Sequence, residues 1–178
     1  MKKLITFLAL SIIGLGTINA QLKPSFGFKA GANFTNFDAE NNIDDATGFH
    51  AGVVLHIPLG NKFGLQPEAI YSFSDVKDAF TFSTIDVPLL LTYKLVPGLR
   101  VNLGPQLKID AGSSFDNAET DAINSFESLN FDALAGLEYR FPVIGIFLQA
   151  RYKLGITDIV ENGDIKENGF LLSAGYRF

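Results

Sequence analysis

Apolar and polar side chains alternate with period two along most of the chain after residue 24. Successive side chains of an extended strand point to opposite faces, so this pattern predicts strands with one oily face and one polar face. The closing segment, residues 168–178 (NGFLLSAGYRF), shows it plainly. Phe170, Leu172, Ala174, Tyr176 and Phe178 share one side, while Leu171, Ser173, Gly175 and Arg177 share the other. An aromatic-ended strand with this alternation suits the last strand of a membrane β-barrel better than a soluble edge strand.

The same reading assigns eight strands, at residues 25–34, 47–59, 63–73, 80–95, 99–111, 129–141, 146–156 and 168–178. Their connections alternate long and short. The long ones are polar and acidic, whereas Gly60-Asn61-Lys62, Val96-Pro97-Gly98 and residues 142–145 read as tight turns. Long loops on one side and short turns on the other are what an all-β, eight-stranded, antiparallel up-and-down transmembrane barrel requires. Directly paired residues must share a face. Leu59 is therefore expected opposite Phe63, His50 opposite Ser72, His56 opposite Gln66, Leu95 opposite Leu99, Asp86 opposite Lys108 and Lys94 opposite Arg100. The last pair needs an acid from a third strand. Pro67, Pro88 and Pro105 lie inside strands, and since a closed barrel has no free edge for a missing N–H, bulges or strand ends are expected near them.

Charge placement sharpens this picture. The strand residues Lys29, Glu68, Asp86, Lys94, Arg100, Lys108, Asp110, Asp132, Glu138, Arg140, Arg151, Lys153 and Arg177 all fall on the inward side. None would meet lipid, where a mid-bilayer Arg or Lys costs about 2–4 kcal/mol. An eight-stranded barrel is about wide enough for its own side chains, so a charge-paired plug is expected in the lumen and a wide solute pore is not. Tyr71, Tyr93, Tyr139, Tyr152 and Tyr176 fall on the oily side and suit an interfacial girdle.

Residues 1–20 read as a cleavable signal peptide, leaving a barrel domain at 21–178. Lys2 and Lys3 precede an apolar run from Leu4 to Ile18, and Ala20 offers a small residue before the cut. The run is shorter than the roughly 20 residues a spanning helix needs. There is no cysteine, hence no disulfide framework and no thiolate site. Losing Lys2 and Lys3 takes the formal charge from -5 to -7, which argues against nucleic acid as a partner. The four long loops carry fourteen acids against Lys77 and Lys166. Solvated loop tips account for this most simply, and divalent cations or a basic protein partner are the alternatives.

Three segments resemble the PorT-like outer-membrane β-barrel family. Residues 85–93 (IDVPLLLTY) are similar to its extended "I-P-L-L-L-x-Y" strand, residues 150–159 (ARYKLGITDI) to its "A-R-Y-x-x-G-L-T-N-I" segment, and residues 173–178 (SAGYRF) to its closing strand. The opening residues 27–34 (GFKAGANF) fit its "G-x-K-x-G-x-N" start. The resemblance spans nearly the whole mature chain. It implies an eight-stranded barrel in the bacterial outer membrane and brings no catalytic residues or agreed activity.

Candidate chemistry is sparse. His50 and His56 are the only histidines, and six residues at about 3.3 Å each keep them too far apart to share a metal ion. His50 opposite Ser72, with Asp75 or Asp45 as a third member, would be the start of a lipid-modifying site, but these side chains face the filled interior. The expected protein is thus non-enzymatic, without cofactor or metal, monomeric in outer-membrane lipid, and structural or surface-interacting through its outer loops. A lipid-modifying enzyme, a small-solute pore and a soluble secreted barrel are its rivals.

Overall fold

In the computed structural model, residues 23–38, 46–76, 80–114, 129–156 and 166–178 are described; residues 1–20, expected to be a signal peptide, and most of the long-loop residues, including Asp45, lie outside them. Eight strands follow in order: β1 (Ser25–Asp38), β2 (Ala46–Pro58), β3 (Phe63–Val76), β4 (Phe80–Val96), β5 (Leu99–Ser114), β6 (Leu129–Arg140), β7 (Ile146–Gly155) and β8 (Lys166–Arg177). Each pairs antiparallel with its neighbour, and β8 pairs with β1, closing the barrel. Strands of 10 to 17 residues reach the roughly 9–11 residues that a tilted membrane strand needs.

The two-residue period sorts the side chains. Phe28, Phe49, Leu89, Leu103, Leu137 and Phe170 are exposed on the outer surface, while Glu68, Gln106, Glu138, Arg151 and Arg177 are buried within. Ile57, on the outward parity, is only 5% exposed; it pairs with Leu65, itself half-buried. A sheet that exposes its oil and buries its charge is the inverse of a water-soluble protein, and only a hydrocarbon surround makes that arrangement favourable.

The register of β2 with β3 places His50 opposite Ser72, and Leu59 N donates to Phe63 O at 2.9 Å across the first short turn. The other short turns also come as expected, with glycine at positive φ in each of the three: Gly60 (130°), Gly98 (87°) and Gly145 (72°). Asp86 faces Lys108 and Lys94 faces Arg100. One expected pair is corrected. Leu99 pairs with Val96 instead of Leu95, because a bulge at Leu95 shifts the register just before the turn, and a second irregularity lies at Ser83/Thr84.

The prolines also depart from expectation. No register shift marks Pro67, Pro88 or Pro105. Instead the ladder skips two pairs at each, Leu55–Pro67 with His56–Gln66, Glu68–Pro88 with Ala69–Val87, and Leu89–Pro105 with Leu90–Gly104, and resumes in unchanged register, which still sets His56 level with Gln66 as expected. A missing N–H removes local bonds, and the neighbouring rungs hold the alignment.

Candidate functional site

Two carboxylates organise the lumen. Glu68 on β3 accepts a forked pair from Arg151 on β7, Nη1 to Oε2 at 2.8 Å and Nη2 to Oε1 at 2.7 Å. Lys29 Nζ on β1 donates to Glu68 Oε2 at 2.7 Å, and Gln66 Nε2 to Oε1 at 2.8 Å. Glu138 on β6 accepts from Arg177 Nη2 at 2.9 Å, Arg100 Nη1 at 3.1 Å and Gln149 Nε2 at 2.6 Å. Of the juxtaposed Lys94 and Arg100, it is Arg100 that Glu138 meets. Gln149 Oε1 also accepts from Lys29 at 3.3 Å, and Gln66 Nε2 reaches Glu138 at 3.3 Å, so the two amides join both centres.

Lys29–Glu68, Arg151–Glu68 and Arg177–Glu138 bridge strands that are not neighbours, whereas Arg100 and Glu138 sit directly opposite each other on β5 and β6. Removing a charge from water is costly, and the forked, multiply bonded geometry offsets that cost. Arg177 further lies over the Phe147 ring, 4.8 Å from its centroid.

Toward the long-loop end the lumen is polar with fewer charges. Ser72 Oγ donates to Asp86 Oδ2 at 2.6 Å, Thr84 to Asp86 Oδ1 at 3.0 Å, and Gln106 to Asp132 at 3.1 Å. Lys108 and Lys153 are buried here. Between the networks, Leu90, Leu134 and Leu171 pack together from β4, β6 and β8. This apolar layer is missed by a reading that looks for charge. Each of the three sits inside a run of apolar residues, 89–91, 133–135 and 170–172, and that run is the signal.

His50 and Ser72 sit opposite each other in the register, but the Ser-His hydrogen bond that a lipid-modifying site would need does not form. Ser72 is committed to Asp86, and His50 turns the other way, Nε2 to Ser173 Oγ at 2.7 Å and Nδ1 to Asn33 Oδ1. Gly31 explains this. It is paired with His50 on one side and Ser173 on the other, and the ring crosses it; a Cβ there would lie 2.0 Å from Leu172 O of the β8 backbone and 2.7 Å from the imidazole. Gly31→Ala is accordingly expected to lower stability by about 1–3 kcal/mol through overpacking, read as a shift of the urea midpoint in detergent micelles. An unchanged midpoint would mean that both the ring and the β8 backbone have room to move. The third residue expected of such a site, Asp75, has a side chain outside those described, and a serine, histidine and asparagine enclosed by lumen walls give no acyl chain a route to the hydroxyl.

Three residues of the expected charge set stand apart. Lys94 is exposed and so is no member of the packed network, because it is the last inward position of β4 before the bulge and turn, where the barrel opens to water. Arg140 is half-buried at the same end, its Nη2 donating to Arg177 O at 3.4 Å. The Asp110 backbone pairs with Thr84, but its side chain lies outside those described.

Around the outer surface at the short-turn end runs an aromatic belt: Phe63 with Tyr93 (5.0 Å between centroids), Tyr139 with Phe141 (4.9 Å) and Tyr176 with Phe178 (5.1 Å). Such rings mark a membrane–water boundary.

Comparison with known proteins agrees with this geometry. Among solved structures, the chain resembles Neisserial surface protein A at 14% identity, with 86% of this chain and 97% of that one covered and a TM-score of 0.59. It resembles Ail, the attachment invasion locus protein of Yersinia pestis, in complex with the heparin analogue sucrose octasulfate, at 16% identity, 88% and 99% coverage and a TM-score of 0.57. The N-terminal β-barrel domain of Pseudomonas aeruginosa OprF shares 19% identity at 89% and 100% coverage, with a TM-score of 0.50. No curated protein matches the sequence. A family model described as the outer membrane protein beta-barrel domain matches residues 19–161. The chain therefore belongs to the outer membrane protein beta-barrel domain family and resides in the bacterial outer membrane.

Proposed function

We propose that this protein is a non-enzymatic barrel with a structural or surface-interaction role, delivered by a cleavable signal at residues 1–20 and acting through its acidic outer loops. The segments quoted above support a PorT-like member of the wider family. One observation carries the functional reading: among the described residues the middle of the lumen is filled. The Leu90, Leu134 and Leu171 layer and the Glu68 and Glu138 networks fill the middle of the barrel with its own side chains, so a partner on the outer face meets the loops.

Their composition says what kind of partner. Fourteen acids against Lys77 and Lys166 would repel a polyanion such as the heparin analogue bound to the Yersinia protein, and would attract divalent cations or a basic protein face. The barrel is expected to act as a monomer. Titrating calcium and a basic peptide onto the detergent-folded chain should give saturable binding that weakens when loop acids are neutralised; no difference between the two forms would overturn the reading.

The rival functions have separate tests. Planar-bilayer recordings are expected to show no steady unitary conductance, and steady channels would contradict the filled lumen. Host membranes carrying His50→Ala or Ser173→Ala are expected to keep the lipid composition of the parent, and a change in acylation pattern would revive the enzyme.

A further inference from the structure

At the end opposite the acidic loops, the barrel opens into a pocket of about 480 Å³ whose lining includes Lys23, Lys62, Lys94, Arg100 and Arg140, with no Asp or Glu among the lining residues. We propose that this mouth binds a phosphate group. The site is independent of the loop surface and lies at the other end of the molecule.

The cations come from separate places in the chain and are brought together by the fold. Lys94 N donates to Lys62 O at 2.7 Å, which sets the first short turn against the end of β4, and Arg100 pairs directly with Lys94. Like charges this close repel one another unless an anion joins them. The nearest internal acid is already committed: Glu138 is shared by Arg100, Arg177 and Gln149. Lys62 and Lys94 are exposed and have no acidic partner among the described residues.

A second observation concerns the wall of the same pocket. His56 lines it, is only 6% exposed, and has an unpartnered Nδ1. The ring is held by contact with Gly64, where a Cβ would come within 2.5 Å of it. Arg140 Nε is likewise buried and unpartnered. Guanidinium forks and ammonium groups on several walls, beside an imidazole whose Nδ1 is unpartnered, suit a tetrahedral oxyanion with acceptors in several directions more than a planar carboxylate.

The aromatic belt fixes the depth. Phe63 and Phe178, members of the belt, also line the pocket, so the cations sit at headgroup height. The phosphate could thus belong to a phospholipid of the near leaflet or to a small soluble molecule, and experiment separates the two.

Inorganic phosphate titrated by calorimetry into the full barrel, in non-ionic detergent at low salt, should bind saturably. In the Lys62→Gln/Lys94→Gln variant, which alters two exposed side chains and spares the packed network, affinity should fall roughly tenfold or more. Native mass spectrometry after incubation with phosphatidylglycerol identifies the source. Retention of one lipid by the parent, lost in the variant and displaced by phosphate, assigns a headgroup. Saturable phosphate binding with no retained lipid assigns a soluble ligand. If neither phosphate nor phosphatidylglycerol distinguishes the parent from the variant, the proposal is wrong.

Discussion

Glu68→Gln is expected to destabilise the barrel by on the order of 3–5 kcal/mol, the cost of leaving a buried ion without its partner. The glutamate side chain is fully buried, and it neutralises two cations at once, Lys29 and Arg151, whose side chains are each 1% exposed. Gln keeps the size and one acceptor oxygen but removes the charge. Both cations would then face each other in the lumen, and the nearest remaining carboxylate, Glu138, already serves Arg100 and Arg177. The measurement is the urea midpoint of the refolded chain in micelles, together with the unfolding slope, since an unchanged slope shows that the folded state keeps its compactness. Adding Arg151→Met to Glu68→Gln should recover a sizeable part of the loss, because the second change removes one of the stranded charges. A single-variant loss within about 1 kcal/mol, the range of a solvated surface pair, would mean that water reaches this part of the lumen and that the plug is not closed.

That prediction depends on contacts only partly legible in the sequence. Which strand faces which, and which residues turn inward, follow from parity: a slip of one residue would flip every side chain to the wrong face, so Asp86 opposite Lys108 and His50 opposite Ser72 could be placed from the alternation and the short turns. Contacts that cross the lumen could not. Glu68 meets Arg151 from across the barrel, and no pairing rule relates β3 to β7. The His50–Ser173 contact needs the closing register of β1 with β8, which no short turn constrains, and it needs Gly31 between them. The bulge at Leu95 is hidden for a different reason. Leu95 and Val96 are consecutive apolar residues, both exposed, so the period gives no contrast where it breaks. Around Leu90, Leu134 and Leu171 the period is likewise interrupted by apolar neighbours on both sides, so the run signals an inward apolar residue but not that the three meet across the lumen.

An arginine at Leu89 is expected to cost about 2–4 kcal/mol in lipid vesicles, whereas an arginine at Leu95 should cost no more than about 1 kcal/mol. The comparison is informative because the two positions look alike: both lie on β4, both are leucines, and they are 46% and 49% exposed. A description based on water-accessible area would predict similar, small effects for both, since surface substitutions usually lie within about 0.5 kcal/mol. The membrane makes them different. Leu95 lies beyond Tyr93, which packs on Phe63 in the aromatic belt, while Leu89 lies four residues on the other side of Tyr93, toward the middle of the hydrocarbon. An arginine at Leu95 can extend into the headgroup layer, but one at Leu89 must pull water or a lipid phosphate inward to stay solvated. The unfolding free energy in vesicles of each variant, against the parent, decides the matter. Equal losses at the two sites would show that no depth gradient acts along β4, and with it would go the inference that the exposed leucines of this sheet meet acyl chains.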